Sequence, residues 1–270
     1  MTFEDGFIAN MPQIVGGGLI FLGIVFAARP QTALGAPNVR MESFSPIVQE
    51  RFRAAVKRRS AYEHVGTTEI RTASALAIVV GILTVLRIID AALAFPAFTV
   101  CGLPVLAAGF MRAHNQAPKR VAALSPRTAS TMPVWQIGFF SLLACVPLAV
   151  PALHGSKYLD AAIFTTVSAL VAIACSYLVA RVPAMLSAED VPVDRFLDER
   201  LRRLRTQQCA AFGALCVYSF MFLFKEQGQF HDDPSTLLLV LVQFASLFVV
   251  FTAGSTIRPP TSSELSRWFS

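Results

Sequence analysis

Two ionisable residues stand inside an otherwise uncharged run. Arg87 and Asp90 are the only charges between Thr72 and Met111. Three residues apart on a helix, they would share a face and could pair. Ionisable groups inside an apolar span are functional candidates by default. A pair near the end of a span also fits an interfacial role, with Arg87 reaching outward along its own methylenes. Uncharged polar residues recur in the other apolar runs: Gln136, Thr165, Thr166, Tyr177 and Gln243. With Arg87 and Asp90 they make up the candidate intramembrane polar site. The chemistry open to them is hydrogen bonding to a neutral solute. The competing use is bonding between helices, at about 0.6 kcal/mol each.

Other chemistries find no residues to carry them. His64, His114, His154 and His231 fall in loops or at the ends of apolar runs, so no bis-histidine haem fits between spans. His231-Asp232-Asp233 has a metal-like composition, but Asp233 and Pro234 read better as the N-cap and first residue of a helix. The last apolar run has no Lys, which excludes a retinal Schiff base there. Cys101, Cys145, Cys175, Cys209 and Cys216 show no C-x-x-C spacing and sit in apolar runs, as buried free thiols do. There is no nucleophile elbow, P-loop or dinucleotide fingerprint. The expectation is no enzyme, no metal and no cofactor.

The elements that would position the polar residues follow from hydropathy. The chain is 54% hydrophobic and 15% charged, against about 25% charged in soluble domains. A membrane helix needs about 20 apolar residues. Thr72 to Met111 is too long for one span and suits two, with Phe95-Pro96-Ala97 as the expected turn. Seven spans are expected: Ile14–Ala28, Ala73–Leu93, Ala97–Met111, Val134–Leu153, Leu159–Ala180, Gln208–Phe224 and Ser235–Gly254. Gly16-Gly17-Gly18 offers the first a smooth face for close helix approach. Pro147 and Pro151 should kink the fourth. Two basic amphipathic helices, Pro46–Arg59 and Asp194–Arg205, lie between spans. Their stripes include Phe52 and Phe196 and suit either the inner leaflet or solvent between spans. The fold class is thus an all-α polytopic bundle forming one domain over the whole chain.

Charge then orients the bundle. With seven spans, every Lys and Arg except Arg87, Lys157 and Lys225 falls on one side. The positive-inside rule makes that side cytoplasmic, with the N-terminus outside and the C-terminus inside. Reading the hairpin as one span would destroy this bias. The net charge of +6 therefore belongs to membrane flanks and implies no nucleic-acid partner. The acidic start, Met1-Thr-Phe-Glu-Asp, does not resemble a cleavable signal. Arg in excess of Lys, with abundant Ala, suits a GC-rich bacterium, hence its cytoplasmic (inner) membrane.

Glu50-Arg51-Phe52 with Arg58-Arg59 reappears as Asp194-Arg195-Phe196 with Arg202-Arg203 at a constant offset. Two parallel three-span units joined by the fourth span would explain it, an arrangement found in transporters. Basic residues accumulating in cytoplasmic loops would explain it equally.

Two functions remain. One is a membrane carrier or facilitator of a small uncharged or weakly polar solute. The alternative is a structural or accessory subunit of a larger integral membrane complex. The expected partners are the bilayer, anionic lipid at the basic helices, and other membrane subunits or further copies of the chain. The topology has a direct test in a variant lacking native cysteines. A reagent confined to the outside should label Lys157→Cys and Phe230→Cys and miss Arg58→Cys, Arg120→Cys and Arg203→Cys. Labelling at position 120 would defeat the hairpin.

Overall fold

The computed structural model describes residues 10–28, 46–63, 66–115, 134–149, 151, 158–181 and 191–226. Among the described residues the regular structure is helical throughout, without strands. In chain order the helices are α1 (Met11–Ala28), α2 (Pro46–Glu63), α3 (Thr67–Val85), α4 (Ala91–Cys101), α5 (Leu103–Asn115), α6 (Val134–Cys145), α7 (Leu159–Arg181) and α8 (Val191–Glu226). Four stretches are long and apolar enough to cross a membrane: Met11–Ala28, Thr67–Val85, Ala91–Arg112, where α4 runs on into α5, and Leu159–Arg181. Such helices are compatible with an integral membrane protein.

Small residues let α1 and α3 meet backbone to backbone. A Cβ on Gly16 would lie 2.6 Å from the Gly81 carbonyl oxygen, and one on Gly23 would lie 2.7 Å from that of Ser74. The two contacts run in opposite directions along the chain, so the helices are antiparallel. Of the three consecutive glycines only Gly16 serves this contact; Gly17 and Gly18 face open space.

The expected hairpin is present, but its turn is not at Pro96. α3 ends at Val85, and residues Leu86 to Asp90 reverse the chain. Arg87 takes φ 59, the left-handed region. Asp90 is extended and its carboxylate accepts a hydrogen bond from the Ala92 N–H at 2.9 Å, which makes it the N-cap of α4. Arg87 and Asp90 are therefore turn residues, not partners on one helix face. Pro96 falls inside α4. The cap won because an Asp before an apolar run satisfies orphan N–H groups, while an interior proline is tolerated in membrane helices.

Two other elements differ from the sequence reading. The basic stretch Asp194–Arg205 and the span from Gln208 are one continuous helix, α8. Only Thr206-Gln207 separates them, and neither residue breaks a helix. The stretch Pro46–Arg59 is helical as expected and continues to Glu63 as α2. Its Phe52 and Ala55 are buried, so this stripe faces the bundle and not lipid. In the fourth span α6 ends at Cys145 and gives way to a 3-10 turn, Val146–Leu148, that contains Pro147. The span Ser235–Gly254, with Gln243, lies outside the described residues.

The third span is the wedge of the bundle. α4 packs against α3, α7 and α8, and α5 packs against α3 and α7. Phe98 of α4 meets Phe212 of α8 with ring centroids 5.4 Å apart, joining the α1–α3 side to the α7–α8 side. Near its middle the wedge breaks at Gly102, where the Phe98 ring fills the place a Cβ would need, 2.3 Å away. Gly81→Ala should destabilise the protein by about 1–3 kcal/mol, the usual cost of overpacking, while Gly18→Ala should change little. Arg87→Gly should gain about 1 kcal/mol by relieving left-handed strain. Asp90→Ala should lose about 1 kcal/mol, and Asp90→Asn, which still caps, should lose little. Thermal melts in detergent read all five.

Candidate polar site in the bundle

Serine and threonine inside membrane helices normally satisfy themselves. Their hydroxyls donate to the carbonyl four residues back. Ser74, Thr84 and Ser168 do so at 2.7, 2.8 and 2.7 Å. Ser176 and Thr206 do so at 2.9 and 2.8 Å. Thr165 and Thr166 depart from this pattern. Both are buried, and neither hydroxyl has a hydrogen-bond partner among the described residues. A buried polar group left unsatisfied costs about 1–3 kcal/mol.

Helix register places this pair. Ala162, Thr165, Ala169, Ala172, Ser176 and Val179 form a buried stripe on α7. That stripe faces α8. A Cβ on Gly213 would lie 3.2 Å from Ala172 and 3.3 Å from the Ala169 carbonyl oxygen, and the Ser176 hydroxyl lies 3.1 Å from the Thr206 carbonyl oxygen. The helices are antiparallel, so Thr165 falls at the level of Cys216 and Val217. Thr166 is turned about 100° further round the helix. It lies beside Ala162 and Ala169, which pack with Leu143 and Ala144 of α6.

The same level carries a second polar contact. The Cys216 thiol donates to the Thr99 hydroxyl oxygen at 3.1 Å, with both residues fully buried. Thr99 belongs to α4, three residues before the break at Gly102. Pro96 and Pro104 bracket this segment and have no N–H to give. The carbonyls of Ala92 and Val100 thus lack their usual donors four residues on. Hydroxyls and a thiol that can donate and accept thus occur on α4, α7 and α8, three helices that pack together. Such a group binds by hydrogen bonds and offers no charge.

The sequence-predicted residues separate. Thr165 and Thr166 belong to the junction. Arg87 and Asp90 lie in the turn at one end of the bundle. Tyr177 is largely exposed on α7, with the Arg181 guanidinium 4.7 Å from its ring centroid. Gln136 occupies the first turn of α6. Thr99 and Cys216 escaped the sequence reading. The spacing of Pro96, Gly102 and Pro104 around Thr99 was the available signal, obscured by assigning Pro96 to a turn.

No protein-family model, curated protein or solved structure matches this chain.

The orphan hydroxyls make a thermodynamic test possible. Thr165→Val keeps the shape and removes the unsatisfied group. It should raise the melting temperature in detergent, with a gain of about 1–3 kcal/mol. Thr84→Val, which removes a satisfied hydroxyl, should not stabilise. Equal responses at the two positions would remove the distinction between them.

Proposed function

We propose that this protein is a membrane carrier or facilitator for a small uncharged or weakly polar solute. One observation carries the reading: two buried hydroxyls on α7, a helix that packs against the interrupted span α4–α5, lack partners among the described residues. A protein that only held a complex together would gain stability by closing those bonds. Retaining them makes sense where a solute completes them, since sites often keep strain that stability alone would remove. Broken spans recur at transporter binding sites for a related reason: they free backbone groups in mid-bilayer.

The fuller reading has seven spans with the N-terminus outside, the C-terminus inside, and two parallel three-span units about the fourth. The host membrane is the bacterial cytoplasmic membrane. The Arg-rich helix ends support this orientation. Charged solutes are disfavoured as cargo because Thr99, Thr165, Thr166 and Cys216 offer no counter-ion.

Purified protein in vesicles tests the reading by light-scattering flux of glycerol, urea and a short neutral amide. At least one solute should enter faster than in protein-free vesicles. The double variant Thr165→Val, Thr166→Val should fold and lose about tenfold of that flux, equivalent to about 1.4 kcal/mol. Folded wild-type protein that leaves all three fluxes at the protein-free rate would overturn the carrier reading in favour of the accessory subunit.

A further inference from the structure

The Arg-rich end of the bundle closes differently from the middle. α2 is not among the helices long and apolar enough to cross a membrane. Its Phe52 and Ala55 are 2% and 0% exposed, and it packs on α5 and α8. The surfaces it joins are polar and closed. Arg205 of α8 is buried with its guanidinium carbon 5.1 Å from the ring centroid of Phe110 of α5. Two turns before it, buried Asp198 accepts from Arg202. Arg112 at the end of α5 donates to Glu69 at the start of α3 at 2.5 Å. Cys209 lies one turn deeper than Arg205 on the same helix and is fully buried.

The opposite face of α2 is exposed and basic. Arg53 and Lys57 are exposed, with Arg53 reaching Gln49 one turn back at 3.4 Å. Ile47 is 72% exposed beside them. Arg71, Arg112 and Arg181 are exposed at the neighbouring helix ends. Glu50 is an exposed acid on the same helix. An amphipathic helix that has already buried its apolar stripe in protein does not need the bilayer for that stripe. What it offers outward is cationic, with one apolar side chain, at the level where spans leave the membrane. Clustered Lys and Arg beside spans attract anionic headgroups, and that attraction fades with salt.

We propose that α2 is a clasp held by anionic phospholipid. Its basic face engages phosphate-bearing headgroups, while Phe52 and Ala55 close the end of the bundle over α5 and α8. The lipid's charge thereby sets how often this end opens. The proposal is independent of solute transport.

Native thiols report on it. The full-length protein is reconstituted in phosphatidylcholine alone or with about one third phosphatidylglycerol. Modification of Cys209 by N-ethylmaleimide is then followed by peptide mass spectrometry. At low salt Cys209 should react at least about threefold more slowly with phosphatidylglycerol present, and high salt should erase the difference. Cys216, deep in the bundle, serves as the control for general loosening; its rate should not follow lipid composition. Arg53→Gln with Lys57→Gln alters only exposed side chains and should abolish the lipid effect while leaving the circular dichroism unchanged. Equal Cys209 rates in the two lipids overturn the proposal. So does a lipid effect that persists in the double variant, or one that Cys216 shares.

Discussion

A hydroxyl among packed membrane helices has no water to bond. It must find a carbonyl, another side chain or a ligand, and the backbone of its own helix is the nearest acceptor. This constraint shapes the described bundle. Ser74, Thr84, Ser168, Ser176 and Thr206 turn back to their own helices, which leaves their outward surfaces effectively apolar and lets neighbouring helices close in. Ser176 also reaches the Thr206 carbonyl and ties α7 to α8. Only against that background do Thr165 and Thr166 stand out.

The wedge made by α4 and α5 converts the constraint into a site. A straight helix would have presented a closed backbone to α7 and α8. Pro96 and Pro104 remove two backbone donors from it, and Phe98 folds over Gly102 to meet Phe212. The aromatic contact holds the broken segment against α8. The same segment brings Thr99 to Cys216. Packing and polarity therefore share one short stretch of chain.

Hydropathy made the helical class and the existence of the hairpin legible, because the run from Thr72 to Met111 is too long for one crossing. The position of the turn was not legible from proline alone. Pro96 and Asp90 compete as boundary signals, and the energetic advantage of a side-chain cap is invisible to an apolar count. The continuity of α8 was hidden for a related reason. Polarity changes abruptly near Thr206, but a change of solvent does not end a helix unless the backbone is interrupted. Thr165 and Thr166 were legible as polar residues in a span. That they are unsatisfied, while their neighbours are not, depends on rotamers and packing that sequence does not display.

The length of α8 has a mechanical consequence. At 1.5 Å per residue its 36 residues extend about 54 Å, whereas the hydrocarbon core is about 30 Å thick. In a bilayer a substantial part of this rod would project beyond the hydrocarbon, and the polar part with Asp198, Arg202 and Arg205 is the one suited to do so. With no break in the described helix, the projecting arm and the segment bearing Cys216 tilt as one body. A rotation of about 10° about the membrane boundary would swing the tip of an arm of about 20 Å through roughly 3 to 4 Å. That is enough to lift a docked helix out of van der Waals contact, while atoms near the pivot barely move. Arg205 and Cys216 thus sit about 16 Å apart on one continuous rod, so a tilt of that rod displaces both.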